Sequence, residues 1–520
     1  VIFRNNLVVL AALVLVISAP LVLRPKQDSG GVADRTLVII TPHNESIRQE
    51  FGEAFAKHYL EETGQRIRID WRTPGGTNEI ARYLASQYLG AFQNYWIKTL
   101  GKPWGAKVRA QFDNPAAGPD REARKAFLES NVGCGIDLLF GGGSYDSMRQ
   151  AAAGRLVDCG IIRAHPEIFN DRCIPQTRGG EVFWDAQGRW VGTCLSAFGI
   201  CFNTDALKRL NIEKPPDAWN DLGDPRYFGQ VAAANPTQSG SVAKAFEMIT
   251  QQQIQMLKSL PEEEAVREGW ARGLRLIRKI GANARYFTDS ATKIPWDVDS
   301  GDAAIGMCID FYGRFQSEAV RKPDGSSRLQ FIIPPGGSSV GADPIGVLRG
   351  APHPQLAREF IEFVLSLEGQ KLWNWKAGTP RGPAKYALRR LPIRPELYAP
   401  QYATHRSDPD VDPFKSEFVY HEEWTAPVFR SIGFIVRVMC IDTHDELRAA
   451  WRALIDSRFP PEATALFDDV SVVSYQAACG SMRDTLVSAQ KVEEVRLAKT
   501  LGDAFRAQYR RVQELAQAGR

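Results

Sequence analysis

No Cys-x-x-Cys pair occurs in the 520 residues, which removes zinc ribbons and thioredoxin-type redox sites from consideration. Histidine is scarce, with 7 in all, and no His-Glu-x-x-His, Gly-x-Ser-x-Gly or P-loop pattern appears. Metalloprotease, serine-hydrolase and nucleotide-hydrolysing chemistry therefore have no foothold, and the sequence predicts a non-enzyme with neither cofactor nor resident metal. Charge of one sign is not concentrated either: 64 basic and 60 acidic residues are spread along the chain and leave a net charge of +4. Without a basic arm or an acidic tail, no nucleic-acid partner is expected.

One apolar run stands apart. Leu7 to Leu23 is broken only by Ser18, with Arg4 before it and Arg24 and Lys26 after it. That length is short for a membrane span and slightly long for a signal-peptide core, so residues 1–27 read as a signal peptide or an uncleaved membrane anchor. Ser18-Ala19-Pro20 is a poor small-x-small cleavage site, and no Cys follows the run to take a lipid. Either way the segment predicts export. An exported chain admits disulfides; Cys159–Cys173 and Cys194–Cys201 are the close pairs by sequence, and buried free thiols are the alternative.

The length suits two or three domains. After the short linker Asp28-Ser29-Gly30-Gly31, Thr36 to Ile40 reads as a doubly buried parallel strand. A polar turn follows, then a helix with Ile47, Phe51, Ala54, Phe55 and Tyr59 on one stripe, then a second strand from Ile67 to Trp71. The order strand, helix, strand recurs, which predicts an α/β architecture. Residues 91–130 mix Gly, Pro and charge without one period and read as an insertion. The chain beyond about 443 reads as mostly helical.

Several phrases in fixed order carry a resemblance: TPHNESIRQEFGEAFAKHY, CGIDLLFGGGSYDSMRQAAAGRLVD, WVGTCLSAFGICFNTDAL, PDAWNDLGDPRYFGQVAAANPTQSGSVAKAFEMI, SGDAAIGMCIDFYG and FIIPPGGSSVGADPIGVLRGAPHPQLAREFIEFVLSLEGQKLW. Together they resemble the periplasmic solute-binding proteins of ABC transporters, in the ferric-iron and phosphorylated-solute branch with the type II fold. The resemblance implies two α/β lobes with hinge crossovers near Thr193–Ala197 and Gly336–Ile345. Lobe 1 would take residues 36–196 and 339–395 and lobe 2 residues 197–338, with a helical extension over 396–520. It also implies a small-molecule or anion ligand, an ABC permease in the cytoplasmic membrane as partner, and a location in the periplasm or on the outer face of the cytoplasmic membrane.

In such sheets ligands gather beyond the carboxyl ends of strands, where loops enter helices. The candidate ligand-binding residues are accordingly Thr41, His43 and Asn44 after the first strand, Gly76 and Thr77 after the second, and Gly142, Gly143 and Ser144 after Phe140. Thr237, Ser239, Gly240 and Ser241 form a loop running into a helix, where unpaired N–H groups and hydroxyls suit an anion. Ser196 and Asp343 lie at the crossings, and Asp310 and Tyr312 end a buried strand. The ferric binders carry adjacent tyrosines near that last place, whereas this chain has Ile309-Asp310-Phe311-Tyr312, a single tyrosine. His43, Asp310 and Tyr312 make a thin set for Fe(III), so an organic or phosphorylated anion is the preferred ligand and ferric ion the alternative. A membrane-tethered ligand sensor is a further alternative.

Overall fold

A computed structural model describes residues 33–113, 121–487 and 491–518. The apolar run 7–23 lies outside the described residues. The chain enters on β1 (Arg35–Ile40) and continues through β2 (Ile67–Arg72), β3 (Leu138–Phe140), β4 (Leu156–Val157), a small hairpin of β5 (Thr177–Arg178) and β6 (Glu181–Val182), and β7 (Val191–Ser196). It then crosses to a second sheet made of β8 (Phe198–Asn203), β9 (Val231–Ala234), β10 (Ala284–Thr288), β11 (Ile305–Ile309) and β12 (Leu329–Ile332). It returns on β13 (Gly341–Leu348) and β14 (Leu391–Pro392).

The first sheet has the order β14-β7-β13-β3-β1-β2, with β4 paired to β13; the second has β10-β9-β11-β8-β12. Besides the two-residue edge strand β14, each holds one inserted strand that runs against the parallel set, β13 in the first and β8 in the second. Both are strands that have just arrived from the other lobe. A strand entering from the cleft runs away from it, while the lobe's own strands run toward it, so the guest must pair antiparallel. The architecture is the two-lobe type II arrangement with hinge crossovers.

The crossings lie side by side. Gly341 pairs with Ser196 and Ala342 with Leu195, and the Phe198 N–H donates to Ser338 Oγ at 2.8 Å. All of β7, β8 and β11 is buried, as covered strands require. The helix Glu45–Thr63 buries Ile47, Phe51, Phe55 and Tyr59 on one stripe and stops at Gly64, where φ is 72°.

Residues 91–130, expected as a patternless insertion, form a π-turn at Tyr95–Thr99 and helices Ala106–Asp113 and Glu122–Glu129. Their aromatic residues Phe92, Trp96, Phe112 and Phe127 pack with Leu139 and Trp190 in a cluster of their own. The C-terminal helices Phe429–Val436, His444–Asp456, Pro461–Asp468 and Lys491–Ala518 are no detached appendage. Ile432, Leu447, Phe505 and Tyr509 share one continuous core with Ile277 and Ile280 of lobe 2. Among the described residues one stretch, Glu422–Ile441, is long and apolar enough to cross a membrane, and it is 61% buried within that core.

All eight cysteines are free thiols. The disulfide expectation is corrected by topology: Cys194 sits on β7 in the first sheet and Cys201 on β8 in the second. Cys173 instead donates from Sγ to Glu396 Oε1 at 3.2 Å.

Candidate functional site

The cleft floor is organised by an irregularity in β13. Its pairing with β7 slips between Asp343 and Pro344. Proline has no N–H to give to a ladder, so inside a sheet it is tolerated at a bulge, and the bulge re-aims the residue beside it. Here that residue is Asp343. Its Oδ2 lies 3.4 Å from His43 Nε2 and forms an ion pair with the Arg390 guanidinium. Arg390 also approaches His43 Nε2 at 3.2 Å and donates to Ser196 Oγ at 2.9 Å. Its guanidinium lies 4.2 Å from the centre of the Phe311 ring, which belongs to lobe 2, and 5.4 Å from that of Trp373. Four lobe 1 segments and one lobe 2 segment thus converge on one fully buried arginine.

Local backbone explains how Arg390 gets there. Arg389, just before it, has φ of 55°, a left-handed conformation that costs a non-glycine residue about 1–2 kcal/mol. The turn sends the two arginines apart. Arg389 goes to Asp408 at 2.7 Å and Glu318 at 3.1 Å, while Arg390 enters the cleft. On the opposite side Gly141, with φ of 100°, leaves the room the His43 ring occupies: a Cβ there would stand 2.7 Å from Nε2.

Electrostatics follow from burial. Loss of solvation pulls the His43 imidazole below its ordinary value despite the nearby carboxylate, so it is neutral at pH 7. Burial pushes Asp343 up, but the Arg390 guanidinium outweighs that and holds it ionised. Asp310 goes the other way: burial raises it although Arg314 lies 3.2 Å away. Burial also pushes the Tyr312 phenol up to about 12. Among the described residues, three buried polar atoms in the cluster find no hydrogen-bond partner, namely Arg390 Nε, His43 Nδ1 and Asp343 Oδ1.

The other expected residues are placed as follows. Thr41 Oγ1 accepts from the His43 N–H at 3.1 Å and so shapes the turn. Asn44 caps its helix, accepting from the Ile47 N–H at 3.1 Å. Gly76 is the N-cap and Thr77 the first residue of the helix Thr77–Asn94. Gly142 and Gly143 lead into the helix Ser144–Ala152, and Ser144 lines a small crevice with Tyr145, Glu181, Lys244, Glu247 and Tyr420. The Thr237 hydroxyl donates to Asn235 Oδ1 at 2.8 Å within its own turn. Ser239 caps the helix Gly240–Gln255 through the Val242 N–H at 3.4 Å, and Ser241 is the second residue of that helix. Asp310 Oδ1 accepts from the Phe311 N–H at 2.8 Å, and Tyr312 packs on the Phe311 ring.

The lobes meet across these loops: Asn78 Nδ2 donates to the Thr237 carbonyl at 3.0 Å. Hence His43, Ser196, Asp343 and Phe311 gather around Arg390, while the Thr77 and Gly240 loops close the cleft some way along it. Sequence reasoning missed Arg390. Its signal was a charged pair inside the apolar stretch Ala387-Leu388-Arg389-Arg390-Leu391-Pro392-Ile393, where two cations need buried partners.

Among known proteins, the pattern described as bacterial extracellular solute-binding protein matches residues 136–397, half of the chain. The chain belongs to this family. It is 26% identical over 274 residues to an uncharacterized protein of Haemophilus influenzae, covering 52% of this chain and 65% of that one. It is also 26% identical over 182 residues to the phosphoglycerate transport regulatory protein PgtC of Salmonella typhimurium, covering 35% and 40%. The chain thus spans less than two-thirds of these curated relatives. Similar solved structures include the fructose-6-phosphate-bound periplasmic binding protein AfuA from Actinobacillus pleuropneumoniae. That pair has a TM-score of 0.49 and 17% identity, with 81% of this chain and 98% of that one covered. Iron-bound HitA from Pseudomonas aeruginosa gives 0.46 and 18%, covering 77% and 99%. As a member of an extracellular solute-binding family, the chain is expected outside the cytoplasm.

Proposed function

We propose that this protein is the extracytoplasmic solute-binding subunit of an ABC importer and closes its lobes on a small anionic, phosphorylated or carboxylated solute for delivery to a membrane permease. One observation carries the anionic assignment: Arg390 stands where the lobes meet, with an unused Nε donor beside unused His43 Nδ1 and Asp343 Oδ1. A solute with several acceptor oxygens and one O–H complements that set, as a hydrogen phosphate ester or a hydroxy acid does. Ferric ion fits poorly. A guanidinium sits among His43, Asp343 and Asp310, and the lone Tyr312 phenol is held protonated by burial. Among the described residues no group of three or more His, Cys, Asp or Glu is placed to hold a metal.

The test is thermal-shift and calorimetric screening of the full chain against inorganic phosphate, sugar phosphates, hydroxy acids, polyamines and ferric citrate. At least one anion should stabilise the protein, with binding lost in Arg390→Met. Stabilisation by polyamines alone, or a visible phenolate-to-iron band that Tyr312→Phe abolishes, would overturn the anionic assignment.

A further inference from the structure

The chain passes between the lobes at a third place. Val411 and Phe414 pack against the core of lobe 1, whereas Phe418 and Val428 are buried in that of lobe 2. Over this interval the chain is tied to both. On the lobe 1 side Arg178 donates to the Phe414 carbonyl at 2.5 Å, and the Tyr420 N–H donates to the Gly179 carbonyl at 2.7 Å. On the lobe 2 side most of the partners come from the helix Gly240–Gln255, with Glu262 and Tyr475 holding Trp424. Gln251 Nε2 donates to the His421 carbonyl at 2.7 Å and to Thr425 Oγ1 at 2.8 Å. Gln255 Nε2 donates to the Val419 carbonyl at 2.7 Å.

That helix is peculiar in burying Glu247, Thr250, Gln251, Gln252 and Gln253 along with its apolar residues. Buried polar side chains are kept where partners satisfy them, and those of Glu247, Gln251 and Gln252 find partners on residues 420–425 and in the second crossing. Gln252 Nε2 donates to the Gly336 carbonyl in the second crossing at 3.2 Å. Lys244 bridges Glu181 of lobe 1 at 3.1 Å and Glu247 at 2.9 Å. Its ammonium lies 3.7 Å from the centre of the Tyr420 ring, and the Tyr420 hydroxyl donates to Glu247 Oε1 at 2.8 Å. Glu181 in turn accepts from Ser339 Oγ at 2.5 Å, again in the second crossing. The first residue of the same helix, Gly240, faces Thr77 across the cleft.

We infer that residues 414–425 form a third inter-lobe strap and that Glu181, Lys244, Glu247 and Tyr420 are positioning residues, a latch by which the C-terminal extension holds the cleft closed. The inference rests on the hinge-closure reading of the fold. Breaking the latch leaves both cores intact, because none of the four side chains belongs to an apolar cluster except the partly buried Tyr420 ring. The lips of the cleft, not the cores, should then loosen.

Hydrogen–deuterium exchange of the full, ligand-free chain reads this peptide by peptide, comparing wild type with Glu181→Gln and Tyr420→Phe. In both variants peptides spanning 75–79 and 236–242, on opposite lips, are expected to exchange about three- to tenfold faster. Peptides from β11 and from the helix His444–Asp456 should be unchanged. Faster exchange confined to 414–428, with lips as in wild type, would show a merely structural strap and overturn the latch. Loss of protection throughout lobe 2 would overturn it too, since it would make these residues part of the core. The comparison needs no solute, so failure of the anion screen leaves it standing, and an unchanged lip leaves the anion screen standing.

Discussion

Replacing Arg390 with methionine keeps much of the apolar stem but deletes the charge that four lobe 1 groups and one lobe 2 ring surround. The Asp343 carboxylate, 8% exposed, would keep only neutral His43 at 3.4 Å. Removing one member of a buried ion pair while the other stays typically costs about 3–5 kcal/mol, most of it the desolvation of the charge left behind. The loss of the guanidinium from the Phe311 face takes about 0.5–2 kcal/mol from the preference for closure. Arg390→Met should therefore unfold several kcal/mol more easily at pH 7, and the double variant Arg390→Met/Asp343→Leu should recover most of the loss, because no charge is then stranded.

The pH dependence makes the reasoning testable. In the wild type Asp343 is depressed, so its contribution is present above the unfolded-state value and is lost as pH falls through the folded one. In Arg390→Met burial is opposed only by His43 and raises Asp343, so that its penalty appears as pH rises through the new folded value. The gap between wild type and variant should shrink steadily from pH 7 to pH 4. Urea unfolding followed by circular dichroism, compared within the same transition, measures the gap. A gap under about 1 kcal/mol at pH 7, or one indifferent to pH, would refute the claim that Asp343 is a buried anion neutralised by Arg390.

His43 is depressed by burial, so its stabilisation is complete above about pH 6.5 and falls away below that; His43→Gln should lower the slope of stability against pH between 5 and 6.5 by up to about 1.4 kcal/mol per unit. Ser239→Ala should cost about 1 kcal/mol as a lost N-cap. Gly240→Val should instead weaken solute binding, since a Cβ there would stand 2.8 Å from Thr77 Oγ1 and prop the lobes apart; calorimetry and melting on both variants separate the two effects. Thiol titration after unfolding in the absence of reductant should find all eight cysteines reactive, and a shortfall of two would reveal a disulfide.

Strand–helix alternation and the helical C-terminus were legible because each leaves a periodic trace, whereas the paired crossings followed only from the resemblance to the solute-binding family. The loops at Thr41–Asn44 and 237–241 were legible as strand ends feeding helix starts. Their chemistry was less so. An asparagine or serine before a helix serves as cap or ligand contact with the same spelling, and Asn44 turned out to cap. Arg390 was invisible for a different reason. It stands nearly fifty residues beyond Asp343, on the irregular stretch that follows the helix Leu367–Asn374, and its partners come from β7, β13 and the turn at His43. Nothing local marks such a residue except that its neighbours are apolar. The strap was missed similarly: 396–428 is a run of short turns, and what fixes it is a row of glutamines on a helix more than 150 residues earlier.

The same facts bear on how much a solute must contribute. Opening the closed cleft separates Lys244 from Glu181, Arg390 from Phe311 and Asn78 from the Thr237 carbonyl. Each such contact is worth about 0.5–1.5 kcal/mol net, so together they bias the empty protein toward closure by a few kcal/mol. A solute shifts the equilibrium only by its differential affinity for the closed form. If closure is already favoured, little shift remains for it to make, and the cleft must instead open to admit it. Access would then be set by the fraction of time the latch is released, and association rather than dissociation would carry the effect of Glu181→Gln. The variant should bind its anion faster at an unchanged or weaker affinity. A slower association rate in Glu181→Gln would mean that the empty protein rests open, and that these contacts form only after the solute has arrived.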